Sequence, residues 1–159
     1  MADESAFRVE FNKEEFAGFL RALKTFEPAL ATATRRNLRH VGDETIADMR
    51  SVIAGGPGSG RYGVQAGIQA GLKTAVATGK RQQGVKISST GAGLSPDRKP
   101  MLRLYNKSTF RHRIFGSDKW AAQSGAPYFG SVIKRHEDEM VEAVWKALEE
   151  AYDKMAETK

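Results

Sequence analysis

Residues 55–60 read Gly-Gly-Pro-Gly-Ser-Gly, and no regular helix or strand continues through them. The run separates stretches with different hydrophobic periods. Ahead of it, apolar residues recur at helical spacing. Phe16, Phe19, Leu20 and Leu23 place an amphipathic helix over 13–25, with Asn12 as its cap and Glu15 closing a capping box. Pro28 suits the first turn of a second helix, whose stripe of Leu30, Leu38, Val41, Met49, Val52 and Ile53 reaches the glycines. Gly42 interrupts that stripe at a cost of about 1 kcal/mol against alanine, which predicts a bend there. The alternation of Phe7, Val9 and Phe11 predicts a half-buried strand before both helices.

Beyond the glycines the period changes. Leu72, Thr74, Val76 and Thr78 share one strand face and Val85 and Ile87 another, so 72–90 reads as a hairpin turning at 79–84. Residues 55–71 and 90–100 read as flexible loops, the first with one helical turn near 65–70. A short helix suits 101–106, a third core strand or an edge strand suits 111–115, and 121–130 reads as irregular. From Ser131, the residues Ile133, Met140, Val141, Val144, Trp145, Leu148, Tyr152 and Met155 keep the helical period nearly to the end. Glu142 with Lys146 and Glu150 with Lys154 are spaced for i,i+4 ion pairs on that helix. The order predicts one α+β domain over 1–159. Its small antiparallel or mixed sheet, of three to five strands, is packed by two N-terminal helices and one long C-terminal helix.

The chain has no cysteine, which removes disulfides, thiol nucleophiles and thiolate metal sites. The opening residues 1–7 are acidic and polar, unlike a signal peptide, and no apolar run approaches the roughly 18 residues that span a bilayer. The formal charge of +6 is unevenly spread: −1 over 1–60, +10 over 61–120 and −3 over 121–159. So concentrated a positive field points to a polyanion or an acidic protein as neighbour.

The motifs argue against chemistry. Residues 58–63 match G-x-G-x-x-G, but the run follows a helix, whereas pyrophosphate binding needs a strand before it. Gly55 and Gly60 have phosphate-loop spacing, yet Arg61 and Tyr62 stand where Lys and Ser/Thr belong. His40, His112 and His136 lie in different segments, and the 136–139 run, His-Glu-Asp-Glu, points its side chains apart on a helix. No G-x-S-x-G frames a serine, and nothing pairs Asp97 with Asp118 as acid and base. The expectation is therefore a protein without catalysis, cofactor or metal. Lys80, Arg81, Lys86, Arg98, Lys99, Arg103, Lys107, Arg111 and Arg113 are enough for non-specific phosphate contact. No zinc finger, helix-turn-helix or ribonucleoprotein signature accompanies them to read sequence.

Residues 101–120, MLRLYNKSTFRHRIFGSDKW, and 124–148, SGAPYFGSVIKRHEDEMVEAVWKAL, carry a resemblance. A basic R-H-x-x-F-G segment precedes a tryptophan; a Pro-aromatic-aromatic stretch and a long charged helix follow. The counterparts are Arg111, His112, Ile114, Phe115, Gly116, Trp120, Pro127, Tyr128 and Phe129, with Arg113 where proline is usual. This run resembles the tail-completion proteins (tail terminator or head–tail joining) of long-tailed bacteriophages, especially those of actinobacteria. The central hairpin and the two-helix N-terminal half are similar too.

The resemblance implies a small sheet packed by helices and assembled as a ring, commonly a hexamer, at the head-proximal end of the tail tube. The ring ends tube growth and meets the head connector or stopper, while DNA passes through the lumen without sequence-specific binding. The implied place is the virion tail or neck, after synthesis in the host cytoplasm, with no membrane and no catalysis. Phe110, Arg111, His112, Arg113, Phe115, Trp120, Tyr128 and Phe129 would then serve the core or the subunit and partner interface. Arg61, Lys73, Lys80, Arg81, Lys86, Arg98 and Lys99 would face lumen or partner, and the two glycine-rich loops would order on contact. Two alternatives stay open: another neck component, adaptor or stopper, and a small non-specific nucleic-acid-binding protein.

Overall fold

A computed structural model describes residues 7–8, 14, 17–18, 28–58, 63–78, 83–114 and 116–157. Glu14, Ala17 and Gly18 are helical; the rest of the expected 13–25 helix lies outside the described residues, as do 9–11 of the first strand and the 79–82 turn. The chain is α+β. In order it runs β1 (Phe7–Arg8), α1 (Pro28–Gly55), α2 (Val64–Ala70), β2 (Leu72–Thr78) and β3 (Gln83–Ser89). A 3-10 turn at Pro96–Arg98 leads to α3 (Met101–Tyr105), β4 (Thr109–Arg113), β5 (Trp120–Ser124), α4 (Gly130–Arg135) and α5 (Glu137–Glu157). The connection between β2 and β3 is too short for anything but an antiparallel hairpin, and β1 lies beside β3. Strands β4 and β5 pair with each other in a separate sheet, so the 111–115 stretch joins no larger sheet.

The described residues fall into two compact units, each drawn from separated stretches of chain: Met1–Phe7, Ala47–Lys73 and Ser88–Ile133 in one, Arg8–Ile46, Thr74–Ile87 and Lys134–Lys159 in the other. In the second unit α1 packs against α5. Leu30 meets Ala147 and Ala151, with Ala33 and Leu148 beside them. The Arg36 guanidinium reaches the Glu150 carboxylate, and Asn37 Nδ2 donates to the Ala143 carbonyl at 3.5 Å. Later residues of α1 thus meet earlier residues of α5, so the two helices are antiparallel. Thr34 and Thr45 are buried without penalty because each hydroxyl donates to the carbonyl four residues back, at 2.9 and 2.7 Å.

Three expectations change here. Helix α1 runs unbroken through Gly42, whose missing side chain makes room for Thr74 and Val85 of the hairpin. The C-terminal helix is two helices, because the chain turns at His136. There the ring nitrogen Nδ1 contacts the Glu139 carboxylate, and three acidic residues fill the first turn of α5, where the helix dipole favours negative charge. Finally, Glu142 and Lys146, both exposed, form no ion pair among the described residues; Glu150 engages Arg36, and the side chain of Lys154, its expected partner, lies outside the described residues.

In the first unit, Met49, Ile53, Ile68, Tyr128 and Val132 are fully buried. The 90–100 stretch is built of turns and the 3-10 turn at Pro96–Arg98. Its glycines are close-approach positions: a Cβ on Gly67 would stand 2.7 Å from the Gly93 carbonyl oxygen. Leu94 N–H donates to Gly91 O at 2.9 Å and Arg98 N–H to Ser95 O at 2.9 Å, which close the turns between them. In the 55–71 stretch, α2 takes the place of the one helical turn expected near 65–70, while 59–62 lie outside the described residues.

Candidate functional site

The β4–β5 ribbon carries most of the residues that the aromatic and basic run brought forward. Its register pairs Thr109 with Ser124, Phe110 with Gln123, Arg111 with Ala122, His112 with Ala121 and Arg113 with Trp120. Phe110 is buried at 5% exposure, which fixes the inner face. Strand alternation then puts Thr109, Arg111 and Arg113 on the outer face, with the opposed Ser124, Ala122 and Trp120 beside them. Those six are all exposed, and Trp120 shows 58% of its surface. The Arg113 guanidinium is held by the Asp118 carboxylate in the connecting turn. The Arg111 side chain has no hydrogen-bond or ion-pair partner among the described residues.

The root of the ribbon is clamped. Gly125 N–H donates to Ser108 O at 2.9 Å and Ala126 N–H to Tyr105 O at 2.7 Å. A Cβ on Gly125 would lie 2.1 Å from the Lys107 carbonyl oxygen, so only glycine closes this end. Asn106 Oδ1 accepts from Phe129 N–H at 3.0 Å. The Tyr105 hydroxyl donates toward the carbonyls of Ile53 and Pro57, at 3.1 and 3.2 Å, and accepts from Gln65 Nε2 at 3.0 Å. Tyr128 lies edge-on to Phe129 with its hydroxyl 3.1 Å from Ser89 Oγ, and burial raises its phenol pKa against the opposing effect of that hydrogen bond.

Phe110, Tyr128 and Phe129, exposed by 5%, 0% and 1%, are therefore core residues of the free chain. His112 is half-buried on the inner face, its ring centroid 6.2 Å from that of Phe110, and its Nδ1–H donates to Arg113 O at 3.1 Å. Lys73, Lys86 and Lys99 are exposed; Arg98 is half-buried, with Nε 3.9 Å from an Asp97 carboxylate oxygen. Arg61, Lys80, Arg81 and Phe115 lie outside the described residues.

A second exposed patch was not foreseen. On α5 the buried face is Met140, Ala143, Ala147 and Ala151, while Val141, Trp145 and Tyr152 are 52%, 62% and 69% exposed. Val141, Trp145 and Tyr152 of the helical stripe point outward, while Met140 and the alanines point inward and Leu148 packs beside them. The signal in the sequence was the alanine row at intervals of four.

The ribbon face offers a flat aromatic ring, guanidinium groups and backbone edges, a chemistry of contact. Asp97 suits proton transfer poorly, since a hydrogen bond with Ser95 lowers its carboxyl pKa. The G-x-G-x-x-G run sits between helices α1 and α2, without the strand that phosphate binding requires. Among the described residues no three His, Asp or Glu side chains gather to hold a metal, and no helix is long and apolar enough to cross a membrane. No family model matches the chain, and no curated protein or solved structure matches it.

Proposed function

We propose that this chain is a structural virion protein of a long-tailed phage, one that assembles as a homo-oligomeric ring at the head-proximal end of the tail tube. There it ends tube growth and joins the tail to the head connector. The observation that carries the reading is the outward Arg111, Arg113 and Trp120 face, presented on a ribbon whose root is clamped. Tryptophan and arginine are the residues most enriched where protein surfaces bind, and a pre-set scaffold lowers the ordering cost of using them. The resemblance of the same segment to tail-completion proteins gives that surface its setting. In this reading the β2–β3 hairpin with α1 and α5 is the small helix-packed sheet of that family, and the ring number is six. The exposed Lys73, Lys86 and Lys99 give the particle basic surface for DNA passing through the lumen without base recognition.

The test is genetic and direct. A phage lacking this protein should make tubes of uncontrolled length that fail to join filled heads, and the purified protein should form rings in negative stain. Tubes of normal length on leaking heads would instead identify a stopper or adaptor. A strict monomer absent from virions would overturn the proposal. A second reading, single-stranded nucleic-acid binding, draws on the pairing of a guanidinium with an exposed indole, the combination that stacks bases and holds phosphates. It requires DNA affinity that falls steeply with salt and is lost in Trp120→Ala.

A further inference from the structure

We infer that the outer face of α5 in one copy docks on the Arg111, Arg113 and Trp120 face of the β4–β5 ribbon in the next copy, a head-to-tail contact that rests on the ring reading above. Each face is complete within one compact unit of the chain. The helix face has two components. Val141, Trp145 and Tyr152, separated by four and seven residues, form an apolar stripe that is more than half exposed throughout. Asp138, Glu142, Glu149 and Asp153, all exposed, stand four, seven and four residues apart and run along one flank of it. The segment Glu137–Glu157 holds eight acidic residues against two lysines. So an apolar stripe lies beside a flank where Asp138, Glu142, Glu149 and Asp153 outnumber the single Lys146.

The ribbon face is its complement: an exposed indole next to two arginines, in the part of the sequence that carries the +10 balance. Three pairings of these faces between identical copies are conceivable. Helix on helix brings one acidic row against another. Ribbon on ribbon opposes arginines to arginines. Only helix on ribbon joins unlike charge while covering Trp145, Tyr152 and Trp120 together, and like-charge juxtaposition is the costly alternative at an interface. A contact between two different faces leaves one of each free on every pair, so it repeats until a ring closes.

Charge reversal separates the possibilities. One variant carries Glu142→Lys with Glu149→Lys; the other carries Arg111→Glu with Arg113→Glu. All four positions are exposed, and circular dichroism and thermal unfolding should match the parent chain. In sedimentation velocity the parent assembles, each variant alone assembles about 100-fold more weakly, and an equal mixture regains parent-sized particles. Variants that assemble as the parent does would overturn this docking while leaving the ring reading intact. Dissociated variants that do not restore each other would overturn the head-to-tail pairing. A parent chain that stays monomeric at all concentrations, and is missing from virions, would remove the ring reading itself and the docking with it. Trp145→Ser mixed with Trp120→Ser gives an independent check: each copy keeps one working face, so a one-to-one pair is expected, and larger particles or monomers alone would refute the contact.

Discussion

Gly42 on α1 faces Thr74 on β2 at a distance that only glycine allows: a Cβ placed there would stand 2.5 Å from Thr74 Cγ2 and 3.3 Å from Val85 Cγ1. The hairpin crosses the helix at this point. Thr74 is β-branched and stiff about χ1, so its methyl cannot swing aside cheaply. Gly42→Ala should gain about 1 kcal/mol in helix propensity and lose about 1–3 kcal/mol to overpacking, for a net loss of up to about 2 kcal/mol. Urea unfolding measures it. Combining it with Thr74→Ala should recover part of the loss, a coupling of about 1 kcal/mol in a double-mutant cycle.

The Thr74 hydroxyl is itself a weakness in the structure. Its Oγ1 is buried and has no hydrogen-bond partner among the described residues. Desolvating a hydroxyl without a partner is costly, whereas an apolar group of the same shape costs nothing there. Thr74→Val should therefore stabilise the chain by about 1 kcal/mol, read as a raised denaturation midpoint at constant m. A loss of stability would mean that the hydroxyl has a partner, such as a trapped water.

Helix α1 was legible in the sequence because its stripe follows one period over 28 residues. Gly42 was not, since a glycine needed for a close approach and a glycine that bends a helix look alike without the partner element. The same ambiguity hid the close approach of Gly93 to Gly67 within the glycine-rich 90–100 stretch. Strand β5 was missed because Ala121, Ala122, Gln123 and Ser124 have little strand propensity; pairing with β4 and the Gly125 clamp impose it. The break at His136 left a trace in the acidic run after it, which is a helix-start signal. For the candidate site, alternation alone put Arg111 and Arg113 on one strand face. The placement of Trp120 opposite Arg113 depends on register, and the outward turn of Trp145 depends on α1 having chosen the alanine face.

Tyr105 ties three segments through one hydroxyl. It donates toward Ile53 O and Pro57 O and accepts from Gln65 Nε2, with distances of 3.0 to 3.2 Å. Tyr105→Phe keeps the packing and removes these hydrogen bonds, while Gln65 Nε2 still reaches Ile53 O and Gly56 O, so the cost should be about 0.5–1.5 kcal/mol. Because these bonds hold the residues after α1, hydrogen exchange should speed up most at the end of α1 and the start of α2.

Tyr128 gives the stability a dependence on alkaline pH. Its phenol is fully buried against 0% exposure, and burial raises its pKa above the ordinary value, with the Ser89 hydrogen bond acting in the opposite direction. In the unfolded chain the phenol releases its proton near pH 10, while in the folded chain it keeps it to higher pH. Above about pH 10 the unfolded state binds fewer protons, so unfolding becomes easier as pH rises. The contribution is whole below the unfolded value and disappears as pH climbs through the folded one. Tyr128→Phe removes that slope. At neutral pH the variant should be less stable by about 1–2 kcal/mol, because the buried Ser89 hydroxyl loses its partner. Denaturant titrations from about pH 9 to about pH 11.5 should show the gap between parent and variant narrowing, and a gap that stays constant would place the phenol in contact with water.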